Sequence, residues 1–299
     1  MPKEKMDIKT MAVILGSVAL MFVLLNFKTW FKVDIDPIGY LIYGAMVVMP
    51  IVIFSDKSLV HEEKQRISVI FILAFFVIFF WACFEQAGAS LTLFADQQTD
   101  RHIGSWEMPA SYFQSVNPLL IIGLAPLFSM IWIGMGKRGM EPSSPLKMAI
   151  GLGLLAIGYM VIAFGVHGVD SSTKISMWWL LTLYALHTMG ELCLSPIGLS
   201  MVSKLAPIRL SSLLMGTWFL ANAAANKFAG TLSALIPPGA GEGAAEGAEA
   251  VEIVYPVFMG VQIDNLFTFF LVFIALSGGA AVLLVGLHKW LQGRMHGVN

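Results

Sequence analysis

Charged side chains are scarce in this sequence. Asp, Glu, Lys and Arg together make up 12% of the 299 residues, whereas hydrophobic residues make up 57% and the mean hydropathy is +0.78. A water-soluble domain of this length carries about twice that fraction of charge. The composition therefore excludes an ordinary soluble fold and indicates a protein whose main solvent is the lipid bilayer.

The sequence also lacks the features of a nucleic-acid-binding protein and of a disulfide-rich one. Its net charge is -1, and no basic run alternates with aromatic residues, so we expect no nucleic acid partner. The two cysteines, Cys83 and Cys193, both lie in apolar runs, where small packing residues are expected rather than a disulfide. The N-terminus has no small-residue cleavage pattern, so the first apolar segment is expected to be retained.

Motifs for catalysis are missing as well. The sequence has no His-Glu-x-x-His pair, no Gly-x-Ser-x-Gly elbow, no Gly-x-x-x-x-Gly-Lys loop and no Cys-x-x-Cys pair. We therefore expect no enzymatic activity, no metal site and no cofactor.

Long apolar runs are present along the whole chain. A membrane-spanning helix needs about 17 to 25 apolar residues, and eight runs reach that length. The sequence thus predicts an all-α, polytopic membrane protein with about eight transmembrane helices, at residues 11–27, 38–54, 67–95, 118–135, 149–166, 177–202, 213–236 and 266–287.

Basic residues alternate from one connection to the next. Thirteen Lys and Arg residues lie in the termini and in every second connection, whereas four lie in the remaining connections. Because Lys and Arg gather on the cytoplasmic side, this split predicts that both termini are cytoplasmic. A charged connection at residues 56–66 separates the first two spans from the other six. We therefore expect two modules, residues 1–66 and residues 67–299.

Two acidic residues, Glu85 and Glu191, lie inside apolar runs. A carboxylate at bilayer depth is unfavourable unless it faces a protein interior or water, so such residues are usually functional. Trp81 lies four residues before Glu85 and shares its helical face, which suits a bound amine or cation. The alternative is a permanent ion pair of Glu85 with another helix. We favour a proton or cation path.

Two further helical faces carry polar residues. His187, Glu191 and Ser195 follow at intervals of four, and His187 is either part of a proton relay or a packed histidine. Trp218 and Asn222 form a similar edge, where small neighbouring residues equally favour close helix packing. Asn117 precedes a proline, and its spacing alone indicates only a helix start.

Four segments together resemble the proton-dependent oligopeptide transporter family, a branch of the major facilitator superfamily. The resemblance extends over essentially the whole chain. It is carried by Phe80-Trp81-Ala-Cys-Phe-Glu85-Gln86, Gln114-Ser-Val-Asn117-Pro118, Gly190-Glu191-Leu-Cys-Leu-Ser195-Pro196 and Met215-Gly-Thr-Trp218-Phe.

This resemblance implies a particular division of the chain. Family members have two six-helix halves, and bacterial members add two helices between them. Residues 1–66 would then be the two inserted helices, and residues 67–299 the C-terminal six-helix half. The sequence has no Glu-x-x-Glu-Arg-Phe type motif of the family's first helix. We therefore expect an N-terminal six-helix half as a partner, with a fragment, a split transporter and a truncated gene as open origins.

The resemblance also implies a function and a set of site residues. It implies proton-coupled symport of di- and tripeptides across the bacterial cytoplasmic (inner) membrane. Proton coupling would fall to Glu85 and Glu191. The peptide would be bound by Asn117 and Glu191 at its amino end, by Trp81 and Trp218 around its side chains, and more weakly by Asn222.

Two other interpretations stay open at the level of sequence. The chain could be a non-transporting membrane module that binds a partner through an exposed half-interface, or a transporter of another small metabolite. The polar residues kept within the apolar runs favour transport, whereas the lack of a recognisable N-terminal half favours the non-transporting module.

Overall fold

The structure is a computed structural model that describes residues 36–169, 173–237 and 254–298, together with residues 16, 19, 22–24, 26 and 30. The chain forms two compact units, residues 1–53 and residues 54–299. The predicted first span, residues 11–27, lies largely outside the described residues. The predicted module boundary after residue 66 stays a prediction.

The described residues from position 36 onward contain eight α-helices. They are α1 Pro37–Phe54, α2 His61–Phe84, α3 Ser90–Gln98, α4 Val116–Lys137, α5 Ser144–Val166, α6 Met177–Leu205, α7 Ser211–Ser233 and α8 Leu266–Arg294. Short 3₁₀ helices lie at Glu85–Gly88, Ala110–Ser115 and Ile208–Leu210. Two-residue strands complete the fold: β1 Thr99–Asp100, β2 His102–Ile103, β3 Trp106–Glu107, β4 Ile175–Ser176, β5 Val257–Phe258 and β6 Val261–Gln262.

The helices confirm the predicted all-α, polytopic membrane fold. Seven of the eight predicted runs coincide with described helices. Within the described residues, five helical segments are long and apolar enough to cross a membrane: Pro37–Phe54, His61–Gln98, Ala110–Lys137, Ser144–Val166 and Leu266–Arg294. Helices α6 and α7 are 29 and 23 residues long and carry most of the predicted polar positions. At about 1.5 Å per residue, both are also long enough to span a bilayer.

The third predicted span is not one continuous helix. Helix α2 ends at Phe84, the 3₁₀ turn Glu85–Gly88 follows, and α3 begins at Ser90. Ala89 between them has φ -127° and ψ -105°, outside the helical region. Glycine and serine weaken a helix, since Gly88 adds backbone freedom and a serine hydroxyl competes for backbone groups. The segment that carries Glu85 is therefore a broken helix.

At one end of the unit formed by residues 54–299, two loops pair through short strands. Strand β1 pairs in parallel with β4, with Thr99 opposite Ile175. Nearby, the largely buried Arg101 guanidinium lies 3.0 Å from Asp96 and 2.9 Å from Glu107. A charged guanidinium that is shared between two carboxylates holds this loop in one shape.

The other end of the same unit carries a second charged cluster. Arg209 contacts Asp56, Ser58 and Glu63, and so joins the start of α2 to the start of α7. The Ser58 hydroxyl and backbone N–H donate hydrogen bonds to Asp56, and these lower the pKa of that exposed carboxyl. The strand β1 and the Arg209 cluster thus lie at opposite ends of the helical segment His61–Gln98, in keeping with loops that alternate between two sides.

Helices α5 and α6 approach each other closely through glycine. Three glycines of α5, spaced seven residues apart, lie where an added Cβ would collide with α6. Such close approach is typical of helix pairs in membranes, where small residues allow backbone contact. A Cβ added to Gly151 would lie 2.7 Å from the Gly190 carbonyl oxygen. A Cβ added to Gly158 would lie 2.6 Å from His187, and one added to Gly165 would lie 2.8 Å from Trp179.

Adding a methyl group at Gly151 is expected to destabilise the protein. The Gly151→Ala change forces its Cβ against the backbone of Gly190, so we expect the free energy of unfolding to fall by about 1 to 3 kcal/mol. Gly153→Ala on the same helix meets no atom within 4 Å and serves as the matched control. We expect that control to be neutral or to gain up to about 1 kcal/mol. Reversible unfolding in mixed micelles measures both values; equal stability of the two variants would contradict this packing.

Candidate functional site

The first predicted acid, Glu85, lies at the break after α2. The Glu85 backbone N–H donates to the carbonyl oxygens of Trp81 and Cys83, so the residue sits directly at the helix end. Its side chain is half-buried, and no hydrogen bond or ion pair of its carboxylate is found within the described residues. Trp81 is also half-buried and packs edge-on against Phe84, with ring centroids 5.3 Å apart. The predicted sharing of one helical face by Trp81 and Glu85 stays a prediction, since Trp81 lies in α2 and Glu85 in the 3₁₀ turn that follows it.

Helices α4 and α6 bring together two further predicted residues. The Asn117 amide nitrogen donates to a Glu191 carboxylate oxygen at 2.8 Å. It also donates to the Thr188 hydroxyl at 3.1 Å, which itself donates to the Tyr184 carbonyl oxygen at 2.8 Å. Both amide hydrogens of Asn117 are therefore used, and the Glu191 carboxylate is held in a defined orientation.

Thr188 was missed by sequence reasoning. Its side chain is fully buried and links Asn117 to the backbone of α6. The available signal was its position three residues before Glu191, which places both side chains on one helical face. A threonine inside a helix usually bonds its own backbone, so this position did not stand out.

The two acids lie in neighbouring parts of the fold, Glu85 in the 3₁₀ turn after α2 and Glu191 in α6. Glu85 and Glu191 lie close enough for their charges to interact electrostatically. We call Glu85, Asn117 and Glu191 the acidic site. Two carboxylates near each other favour the binding of a cation or the uptake of a proton, since both reduce their mutual repulsion. The acidic site can therefore bind an organic ammonium group or a proton.

Trp218 lies in a helix contact. It is 3% exposed, and a Cβ on Gly198 of α6 would come within 2.4 Å of its indole ring. The ring therefore packs α7 onto α6, and its role in lining a side-chain pocket stays a prediction. Asn222, one turn further along α7, is half-buried, and its carbonyl oxygen has no hydrogen-bond donor within the described residues. The role of Asn222 in peptide binding stays a prediction.

His187 is packed between helices. Its side chain is 2% exposed, lies against Gly158 of α5, and contacts the Tyr159 ring at a centroid distance of 4.8 Å. Its Nε2 atom has no hydrogen-bond partner within the described part of the chain. Of the two interpretations left open by the sequence, this position supports the packed histidine. The cysteines Cys83 and Cys193 are free and buried, as predicted.

Apolar membrane helices that enclose acids and an amide donor are typical of secondary transporters. Comparison with known proteins gives the family. The profile of the POT (proton-dependent oligopeptide transporter) family matches residues 13–246. The chain belongs to the POT family.

The chain is similar to named proteins and to solved structures. Peptide transporter YePEPT of Yersinia enterocolitica is 40% identical over 195 residues, which cover 64% of this chain and 38% of that protein. Dipeptide and tripeptide permease A of Cronobacter turicensis is 30% identical over 257 residues, 85% of this chain and 50% of that protein.

A crystal structure of peptide transporter POT in complex with alafosfalin superimposes with a TM-score of 0.78 at 26% identity. The match covers 99% of this chain and 55% of that structure. The chain thus spans about half the length of the relatives that it matches.

Proposed function

We propose that this chain forms part of a proton-coupled symporter of di- and tripeptides. The observation that carries the proposal is the hydrogen bond from Asn117 to Glu191, with Glu85 within electrostatic reach. Membership of the POT family and the names of its peptide-transporting relatives support the same function. The acidic site supplies the chemistry that such a symporter needs on one side of its substrate.

In this proposal the acidic site holds the amino end of the peptide. Glu191 accepts hydrogen bonds from the peptide ammonium group, and Asn117 fixes the orientation of the carboxylate before the peptide arrives. Preorganisation of this kind strengthens binding because less side-chain freedom is lost. The aromatic rings of Trp81 and Trp218 contact the peptide side chains, and the unpartnered oxygen of Asn222 accepts from a peptide N–H.

Proton coupling follows from the charges of these carboxylates. A proton that enters from outside neutralises Glu85, while Glu191 holds the peptide ammonium group and takes up a proton only once that group has left. Ion pairs with a second half of the transporter weaken, and the two halves rock around the midplane site. The proton gradient thereby drives peptide uptake.

The second half is the partner in this proposal. An N-terminal six-helix half would supply the basic groups that bind the peptide carboxylate, while residues 67–299 act as the C-terminal half and residues 1–66 as inserted helices. The chain covers 38% to 55% of these relatives, which supports such a partner. The excess of Lys and Arg in alternate connections supports a cytoplasmic location of both termini in the bacterial inner membrane.

Reconstitution tests the proposed function. The chain is placed in proteoliposomes alone and together with the N-terminal half of a POT-family relative, and uptake of labelled dipeptide is measured under an inward proton gradient. We expect uptake only in the paired sample, and only while the gradient lasts. Peptide binding without uptake in folded, paired protein would instead support the non-transporting module.

A further inference from the structure

The helix break beside Glu85 is held by side chains. The last carbonyl groups of a helix have no partner within the helix, and burying them without a donor is unfavourable. Helix α2 ends at Phe84 inside the protein, where Ala82 and Cys83 are fully buried. Donors from elsewhere must therefore satisfy the carbonyl oxygens near the break.

Gln86 provides the first set of donors. Its side chain is fully buried, and its amide nitrogen donates to the Ala82 carbonyl oxygen and to the Ala229 carbonyl oxygen, both at 3.0 Å. Its own side-chain oxygen accepts from the Ser90 hydroxyl at 2.6 Å, at the start of α3. One glutamine thus ties together α2, α3 and α7.

Two tyrosines act from the other side of the break. The fully buried Tyr159 of α5 donates to the Cys83 carbonyl oxygen at 2.6 Å. Tyr184 of α6 makes a longer contact of 3.5 Å with the Ala87 carbonyl oxygen, which also accepts from Thr92 at 2.7 Å. Side chains of three different helices therefore bond to one short backbone segment.

The geometry of the segment explains why these bonds matter for Glu85. A 3₁₀ helix turns by about 120° per residue and an α-helix by about 100°. Rewinding the four residues Glu85–Gly88 into an α-helix would thus rotate α3 relative to α2 by about 80°. Because Glu85 is the first residue of this turn and follows α2 directly, its position relative to α3 depends on the break being kept.

We infer that Gln86 and Tyr159 are positioning residues for Glu85. They hold the break between α2 and α3 in place and so fix the backbone that carries the Glu85 carboxylate. The inference rests on the proposed role of Glu85 in proton coupling. Neither Gln86 nor Tyr159 contacts the peptide in this arrangement; both act through the backbone on either side of Glu85.

The first test separates coupling from transport as such. Tyr159→Phe and Gln86→Met each remove a hydrogen-bond donor with little change in side-chain volume. In the paired reconstitution, we expect the ratio of proton-driven uptake to counterflow exchange to fall about fivefold, the factor that corresponds to one hydrogen bond. Tyr112→Phe and Gln262→Met, both at exposed positions, should leave the ratio unchanged.

This split distinguishes positioning from stability. A loss of folded protein lowers driven uptake and counterflow in the same proportion, and so leaves their ratio unchanged. An unchanged ratio in both Tyr159→Phe and Gln86→Met would overturn the inference.

A second measurement does not depend on transport. Hydrogen exchange of the backbone amides in residues 85–92 reports local opening of the break. We expect exchange there to become about fivefold faster in Gln86→Met and in Tyr159→Phe, with α8 unchanged. Unchanged exchange in both variants would show that Gln86 and Tyr159 do not hold the break. If the wild-type chain and its partner half take up no peptide, the proposed function fails, while this measurement still decides whether these two residues hold the break.

Discussion

Replacing Glu85 with glutamine is expected to abolish proton-driven accumulation of peptide. A membrane potential of 100 mV is worth about 2.3 kcal/mol per proton, which supports about fifty-fold accumulation of a neutral dipeptide. Glutamine has nearly the shape of glutamate but can neither bind nor release a proton. In Glu85→Gln we therefore expect the ratio of internal to external labelled dipeptide to fall to about one, the equilibrium value without coupling.

Counterflow exchange provides the contrast for this variant. It requires peptide binding and movement of the halves but no net proton transfer, so we expect it to persist in part. The matched control is Glu62→Gln, which changes the same side chain at an exposed position that pairs with Arg66. Continued accumulation in Glu85→Gln, or equal loss in the control, would remove the proton-coupling role assigned to Glu85.

Replacing Glu191 with glutamine is expected to weaken peptide binding strongly. A hydrogen bond to a charged partner contributes about 1.5 to 3 kcal/mol, so we expect the Kd of a dipeptide with a free amino end to rise about thirtyfold. Binding of the same dipeptide with an acetylated amino end should be weak in both proteins, because its amide cannot form the ion pair. Competition against a labelled peptide in the paired reconstitution measures all four affinities.

The acetylated ligand makes the assignment specific. If Glu191 binds the peptide ammonium group, preference for the free amine over the acetylated form is lost in Glu191→Gln. If instead both ligands lose affinity by the same factor, Glu191 acts on the fold of the site rather than on the amino end. Glu62→Gln again serves as the control and should keep the wild-type preference.

Much of the fold could be predicted from the sequence because lipid imposes simple requirements. Apolar runs must be helical in a bilayer, since a helix satisfies its own backbone groups. The runs therefore coincide with helices such as α1 and α5 to within a few residues at most ends. The alternation of basic connections likewise agrees with the loops that meet at each end of the unit formed by residues 54–299.

The broken helix could not be predicted in this way. The apolar run continues on both sides of residues 85–89, and no proline marks the break. The hydrogen bonds that stabilise it come from Tyr159 and Ala229, which are 76 and 143 residues away from their partners in sequence. Periodicity reports only neighbours within a few turns, so such long-range bonds leave no local signal.

The candidate site was predicted unevenly. Glu85 and Glu191 stood out because an acid in an apolar run is rare. The spacing of Asn117 indicated only a helix start, and its importance came from the family resemblance; the structure then placed its amide on Glu191, 74 residues further along the chain. Trp218 was selected as a binding residue from the family motif, whereas the structure shows that its ring packs against Gly198.

The pairing of β1 with β4 has a consequence for the order in which the protein is assembled. Thr99 and Ile175 are 76 positions apart, and α4 and α5 lie between them. At a synthesis rate of about 5 to 20 residues per second, β1 waits roughly 4 to 15 seconds for its partner to be made. The strand pair can close only after the hairpin of α4 and α5 has been threaded into the membrane. The pair therefore forms late in synthesis, after both helices have been inserted.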